Sequence, residues 1–541
     1  MFIWRSEPMP YWRRFFMAGS VVLLLLPVML LSGCKKENLA GKGFRFPLSA
    51  EPRQIDPQVS TDAASITLVA ALFEGLARLD ESGKAQPAAA DWTVSDDGLT
   101  YTFTLFDSKW SDGSDVTAHD FVFGMQRAVL PSTKSALAQE LFMIKNAHKV
   151  NSGKLAVSKL GVKALNDKQL TVTLAKPDID FPAKTASTPF MPCKQSFFEE
   201  TNGRYGLENE YILTNGPFFL KAWNHNQSLL LYKSEHYHDA ENILPSAVRY
   251  VIGKIQDPVH LLSEGLLDAA PIPAEKVEQA KDAGIRLIPQ KDTVRMLWFN
   301  NRNETLENAS VRCALRDALE WDIIYAQLNT AIDVPAAGLV APDSIASSHQ
   351  KYRTDNNAIT PVTRGAKAHA QLTDALEQIG LDKMPALTLL CADDEYNTNI
   401  ARFIVQSWQK NLSLYFSIKS VSPSELAARV KVGNYQLALY SGSAPGPNAV
   451  DTLGSFVTGA VGNHARFSNK TFDKKFSSSN TAKRADLEAL EAFLWQTCPS
   501  IPISFELRYT GIPEASSGIV VRSFGGGTFG APYDFRKAGK K

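Results

Sequence analysis

The sequence predicts an α/β protein of two or three lobes, and three observations carry that expectation. Strand-like and helix-like patterns interleave along the chain without a fixed period, which argues against a repeat array. The 541 residues exceed what a single core holds, at roughly 100–200 residues per domain. No long low-complexity stretch separates one part from the next, so boundaries are expected where the chain crosses between lobes and not at flexible tethers.

The N-terminus comes first. Arg5, Arg13 and Arg14 precede an uncharged run from Phe15 to Leu31, interrupted by Pro27. A spanning helix wants roughly 20 apolar residues, and this run falls short. A basic start, a short apolar segment and small residues before a cut read as a secretory signal over residues 1–33. Leu31-Ser32-Gly33-Cys34 resembles the bacterial lipobox. That motif implies that Cys34 is lipidated, becomes the first mature residue and ties a soluble body to a membrane surface, each buried CH₂ contributing about 0.8 kcal/mol. Lys35 follows, in place of the aspartate that retains some lipoproteins at an inner membrane, so which membrane is used stays open.

Further along, Ile66, Val69, Phe73 and Leu76 recur at helical spacing, with Gly75 near the stop. Asp96-Asp97-Gly98 is turn chemistry ahead of Leu99-Thr-Tyr-Thr-Phe-Thr-Leu-Phe106, whose strict alternation is that of a strand with one buried face. Thr117 reads as a helix cap with Asp120 near the positive helix end, and Phe121, Val122, Met125 and Val129 make the apolar stripe. Leu170–Leu174, Ser228–Tyr232 and Arg249–Ile252 read as strands. Val311, Leu315, Leu319 and Ile323 mark one helix; Ile400, Phe403, Ile404 and Trp408 mark another, followed by a strand pattern over Leu414–Val421. Trp92, Trp110, Trp223, Trp298, Trp321, Trp408 and Trp495 mostly sit inside such apolar patterns and are expected in the core.

The chemistry that is missing is as informative. A formal net charge of +1 offers no field for nucleic acid, and 44% hydrophobic residues mark a globular chain. There is no G-x-S-x-G, no H-E-x-x-H and no Walker A loop. Ser348-His-Gln-Lys351 fits S-x-x-K but lacks its partner motifs, and Gly525-Gly-Gly527 has no phosphate motif around it. His236 and His238, beside Glu235 and Asp239, are expected as surface residues. Cys193, Cys313, Cys391 and Cys498 form no CxxC and no Cys/His cluster, so no metal or other cofactor is expected; disulfide pairing and four separate buried thiols both remain open. An exported chain without catalytic groups points to binding, not to an enzyme.

A series of motifs then becomes recognisable: Glu51-Pro-Arg-Gln-Ile-Asp-Pro57, Leu72-Phe-Glu-Gly-Leu76, Asp96-Asp-Gly-Leu-Thr-Tyr-Thr-Phe103, Lys109-Trp-Ser-Asp-Gly113 and Val116-Thr-Ala-His-Asp-Phe121. Leu160-Gly-Val-Lys-Ala164, Asn215-Gly-Pro-Phe218, Glu264-Gly-Leu-Leu-Asp268 and Val311-Arg-Cys-Ala-Leu315 continue it. In this order they resemble the peptide/nickel/opine class of ABC-transporter solute-binding proteins, across most of the mature chain. The resemblance implies a two-lobed periplasmic-binding-protein-like fold (type II, cluster C) with an extra small inserted domain. It places lobe I at 34–80 and 188–290, the inserted domain at 81–187, lobe II at 291–505 and a return to lobe I at 506–541. It also implies a monomer on the extracytoplasmic side of the membrane, which traps an oligopeptide between closing lobes and delivers it to ABC permease subunits.

Peptide binders of this class grip the ligand main chain as a strand added between two protein strands. By match, the ligand-binding residues are Val59, Ser60 and Thr61 on one side, Tyr440, Ser441, Gly442, Ser443 and Ala444 on the other, and Trp298 nearby. One departure stands out. Gly442 replaces a tryptophan, and Pro445 falls near an aspartate that pairs with the peptide's α-amino group. A buried unpaired ammonium is costly. Either another acid, such as Asp62 or Asp451, takes that role, or the ligand has no free amine there: a blocked or cell-wall peptide, haem or a metal chelate. An envelope interaction protein or chaperone that keeps the fold without transport is the alternative outside the transport class.

Overall fold

The computed structural model describes residues 43–540 apart from 81–83, 347–349, 355–356, 360, 444–445, 447, 461, 480–482 and 525–531. Residues 1–33 and Cys34, Ser348, Gly525-Gly-Gly527, Ala444 and Pro445 therefore lie outside the described residues.

The first sheet runs Gly43–Leu48, Ala247–Ile252, Ser228–Lys233 and Phe218–Asn224, with its first pair parallel. Phe44, Phe46 and Leu48 alternate inward on the first strand, while the Arg45 N–H donates to Asp268 at 2.7 Å. The Phe46 ring packs among Tyr250, Tyr533 and Phe535 at 5.1–6.0 Å. The two ends of the described chain thus meet in one core.

A second, antiparallel sheet holds Ala90–Val94, Thr100–Leu105, Gln169–Thr173 and Val162–Asn166 in that order. Gly98 takes φ +68° in the turn before the expected strand, a conformation that favours glycine. Helix Ala118–Val129 starts as anticipated, with Thr117 and Asp120 forming a reciprocal capping box, and Trp110 Nε1 donates to Asp120 at 3.2 Å. Buried residues of both sheets belong to a single continuous cluster.

The third sheet is mixed and seven-stranded. Its order is Ala270–Ile272, Ser500–Ile512, Arg286–Phe299, Leu437–Ser443, Thr388–Ala392 and Ser417–Val421, with Asp333–Pro335 on the second of these. Alternation splits its side chains between two cores. Leu297, Phe299 and Leu389 face helices Ala309–Asp317, Gly365–Gln378 and Glu395–Leu412; Val294, Met296, Trp298 and Leu390 face helices Pro423–Val432, Ala449–Gly454, Lys470–Ser478 and Arg484–Thr497. The long pair Arg286–Phe299 and Ser500–Ile512 carries two irregularities. One falls between Gln290 and Thr293; the other sets Met296 against Pro502, where a residue without an N–H is tolerated.

Three expectations are corrected. Val311 to Ile323 is not one helix but two, Ala309–Asp317 and Trp321–Ala326. Ser407 Oγ accepts the Glu320 N–H at 3.1 Å and Thr363 Oγ1 accepts that of Trp321 at 3.2 Å, so side chains break the ladder there. The first helix ends at Leu72, short of Leu76. His238 is no surface residue: Nε2 lies 2.6 Å from buried Glu74, which also accepts from Tyr237 Oη. Cys193, Cys313, Cys391 and Cys498 are buried free thiols.

Glu51, at the head of the segment leading to the candidate site, is pinned by Trp223 Nε1 (2.8 Å), His225 Nδ1 (2.6 Å) and the Asn226 N–H (2.8 Å), while His225 Nε2 reaches Glu208 at 2.9 Å. Hydrogen bonds to Glu208 and Glu51 raise the His225 pKa. A raised folded-state pKa gives stability that is full below the unfolded value of about 6.5 and is lost as pH rises through the folded one. The stability difference between the wild type and His225→Gln, read from urea unfolding, is expected to be largest below the unfolded value of about 6.5 and to shrink as pH rises above it.

Candidate functional site

Strand Leu437–Ser443 continues the apolar alternation that begins at Tyr435. It pairs antiparallel with Arg286–Phe299 along its whole length, from Phe299 opposite Leu437 to Thr293 opposite Ser443. On its other side it pairs with Thr388–Ala392 only at Leu437 and Ala438. The chain leaves the sheet after Ala392, where Asp394 caps helix Glu395–Leu412 by accepting the Asn397 N–H at 2.8 Å. From Leu439 to Ser443 that edge has no strand partner among the described residues. A row of main-chain donors and acceptors on an unpaired edge is a template for an added strand.

The side chains around this edge differ in role. Trp298 is 5% exposed and stacks on Phe456 at 6.1 Å, so it supports the strand from beneath and does not line a cleft. Its Nε1 donates to the Tyr440 carbonyl at 3.1 Å. Tyr440 is half-buried, with its ring edge-on to His464 at 6.0 Å. Among the described residues an added Cβ at Gly442 would meet only Tyr440 Cε1, at 3.9 Å. The Ser443 backbone completes the pairing.

The opposite expected segment is built differently. Residues 59–61 form no strand, which corrects the expectation. The N–H groups of Val59 and Ser60 both donate to the Asp56 carbonyl, at 3.2 and 2.9 Å, closing a turn. Ser60 Oγ is used internally, donating to the Gln54 carbonyl at 2.6 Å and accepting the Asp56 N–H at 3.1 Å. Beneath the turn, Arg127 pairs with Asp56 at 2.8 Å and donates to Gln58 Oε1 at 2.8 Å, and its guanidinium lies 3.8 Å from the centre of the Phe198 ring. The Gln58 amide donates to the Met191 carbonyl at 2.9 Å. Burial pushes the adjoining Cys193 thiol up to about 12, so it is no nucleophile. Val59 is half-buried, Ser60 buried and Thr61 exposed, and no hydrogen bond joins 59–61 to 440–443 among the described residues.

Both acids suggested from sequence are spent at helix starts, Asp62 as a cap and Asp451 in the first turn. Asp62 accepts the Ser65 N–H at 2.9 Å, and Asp451 accepts the Asn448 N–H at 3.2 Å in a capping box. Burial raises the Asp451 pKa, against the pull of Asn448 and Lys184.

The residues that sequence reasoning passed over lie behind Ser441. Arg295 is buried and donates to Asp333 at 3.2 Å, to Glu506 at 2.6 Å, to Ser504 Oγ at 3.3 Å and to Asn397 Oδ1. Tyr396 Oη adds a bond to Asp333 at 2.8 Å, and Ser441 Oγ donates to Glu506. Burial raises the Asp333 pKa, opposed first by Arg295. A lone arginine inside the apolar run Val294–Phe299 is the signal that could have found this network.

A profile of the family described as bacterial extracellular solute-binding proteins, family 5 Middle, matches residues 84–464. The chain belongs to that family. This solute-binding protein is 27% identical over 515 residues to the oligopeptide-binding protein OppA of Bacillus subtilis (strain 168), covering 90% of this chain and 93% of the relative. It is 27% identical over 538 residues to the dipeptide-binding protein of Lactococcus lactis subsp. cremoris (strain MG1363), covering 93% and 97%. Among solved structures, that of the pheromone receptor PrgZ, described with its mode of peptide binding, superposes with a TM-score of 0.74 at 27% identity, covering 93% of this chain and all of the other. Solute-binding proteins of this family are receptors and not enzymes, and the two-lobed α/β fold expected from sequence is the fold of these neighbours. No helix among the described residues is long and apolar enough to cross a membrane.

Asp56 and Arg127 set the turn at residues 56–60. Removing one member of a buried pair strands the other charge, at about 3–5 kcal/mol. Arg127→Met is expected to lower stability by about that amount in urea unfolding, whereas Thr61→Ala, on the exposed side of the same turn, should stay within about 0.5 kcal/mol.

Proposed function

We propose that this solute-binding protein captures oligopeptides by hydrogen-bonding their main chain between two closing lobes and delivers them to the permease subunits of an ABC importer. The observation that carries the reading is the unpaired strand edge Leu439–Ser443. Every peptide presents the same N–H and C=O groups, so such an edge gives affinity without choosing a sequence. Gly442, with no side chain of its own, leaves room for ligand side chains and bridging water in this reading. The names of the relatives, oligopeptide- and dipeptide-binding proteins, agree with this ligand class.

The two long strands Arg286–Phe299 and Ser500–Ile512 serve as the crossings between lobes in this reading. The irregularity between Gln290 and Thr293 supports a hinge there, because a bulge breaks the ladder that would otherwise stiffen the crossing. Lobe I then comprises 34–80, 188–290 and 506–541, the inserted domain 81–187 and lobe II 291–505. Val59 and Thr61 offer the second side of the grip from the turn held by Asp56. The protein acts as a monomer, held at the extracytoplasmic face of a membrane by acyl chains on Cys34.

A second reading keeps the fold and changes the guest. Gly442 and the proline at 445 stand where an indole and an amine-pairing acid would be expected, which favours a blocked peptide or a non-peptide ligand. Native mass spectrometry of the purified protein distinguishes the two by the mass of a co-purified guest.

Ligand that favours the closed, folded state raises the unfolding temperature. A mixed tri- to hexapeptide library is expected to raise the Tm measurably, and no shift with any such library would reject the peptide reading. N-methylating one ligand amide that faces the edge should weaken binding about tenfold, the loss of one hydrogen bond of about 1.4 kcal/mol. Cys34→Ser is expected to move the protein from the membrane fraction to the soluble fraction of lysed cells, and retention in the membrane fraction would remove the anchor from this account.

A further inference from the structure

The charges behind the open edge do not balance. Arg295 is one cation between two carboxylates, Asp333 and Glu506, which leaves one negative charge over. The adjoining pair, Arg508 with Asp292, is self-contained. The two carboxylates are also unequal. Asp333 has no exposed side-chain surface, and both its oxygens are engaged: Oδ1 accepts from Ser504 Oγ, and Oδ2 from Arg295 and from Tyr396 Oη. Glu506 crowds two donors, Arg295 and Ser441 Oγ, onto Oε1. Its Oε2 accepts no hydrogen bond among the described residues, and a fifth of the side chain stays open. Apart from Arg295, no described lysine, arginine or histidine lies within ion-pairing distance of it.

The position of this half-used carboxylate gives it a role. Ser441, its hydroxyl partner, stands in the middle of the unpaired stretch Leu439–Ser443. Glu506 itself stands on Ser500–Ile512, two strands in from that edge, and its hydrogen bond from Ser441 ties the carboxylate to the edge strand, within reach of a long ligand side chain laid over Ser441. A carboxylate with one unused oxygen in a partly desolvated place is best completed by a charge-assisted donor. We propose that Glu506 receives a cationic group of the ligand, an ammonium or a guanidinium, and so selects ligands that present one next to Ser441. The proposal rests on the reading that the open edge is the ligand site. The Ser441 hydroxyl and Arg295 act on the same carboxylate from within the protein, fixing Oε1 so that Oε2 is the oxygen offered.

The test uses a tri- to hexapeptide library built from Ala, Val, Phe, Ser and Lys, and the same library acetylated at every amine, each titrated calorimetrically into the wild type and Glu506→Gln. Acetylation is expected to weaken binding to the wild type about ten- to hundredfold, as for loss of a hydrogen bond to a charged group. In Glu506→Gln, which keeps an acceptor for Arg295 and Ser441, the two libraries should bind within about twofold of each other. Equal binding of both libraries by the wild type would leave the peptide reading standing and overturn the role of Glu506. So would undiminished discrimination in Glu506→Gln. Binding of neither library would overturn both. Should the variant fail to fold, carbodiimide coupling of the amine library to the wild type serves instead. An amide mapped by mass spectrometry to Glu506 supports the proposal, and coupling confined to other carboxylates overturns it.

Discussion

The pairing of Arg286–Phe299 with Ser500–Ile512 is the constraint on which the rest of the molecule depends. These strands carry the centre of the seven-stranded sheet, and among the described residues the first of them is the sole continuous partner of Leu437–Ser443. Because strand Thr388–Ala392 departs after two paired residues, the site strand is held from one side and offered from the other. Rigidity and availability of the same backbone come from one asymmetry of register. Trp298 reinforces it by filling the space beneath the strand and tying its indole N–H to the Tyr440 carbonyl.

Polar groups do in this core what apolar packing does elsewhere. Burying Arg295 would be prohibitive alone, and two carboxylates, Asn397 and Ser504 make it tolerable. The same holds on the other half of the molecule, where Asp56, Gln58 and Arg127 replace a ladder with a locked turn. In both places a buried guanidinium, whose rigid fork of donors reaches several acceptors at once, ties neighbouring segments together.

Much of the fold was legible in the sequence where local chemistry and tertiary structure agree. The Thr117–Asp120 cap, the alternation over Leu99–Phe106 and the stripe from Ile400 to Trp408 each produced the element expected. The reading failed where a distant side chain decided the outcome. Hydroxyls of Ser407 and Thr363 split the helix expected over Val311–Ile323, and no periodicity encodes that. Strand Ser500–Ile512, which no pattern named above marks, accommodates Pro502 at a register irregularity. At the candidate site, the motif match points to strand Leu437–Ser443 but not to its free edge, which depends on where a third strand stops. Residues 59–61 misled because the Asp56 carbonyl, not a neighbouring strand, takes their N–H groups. Glu506 escaped notice since a single acid in an alternating strand looks like an ordinary solvent-facing residue until Arg295 is seen beside it.

The shared core of the first two sheets has a bearing on how the chain came to be assembled. Phe103 and Phe181, which belong with the second sheet, are packed in one apolar mass with Phe44, Phe46 and Leu72. An appendage with a private interior could be gained, traded or deleted in one evolutionary step, leaving its host intact. Here the interior is shared: taking away the second sheet would bare apolar surface of the first, so a change of volume on either side of that interior is felt by both.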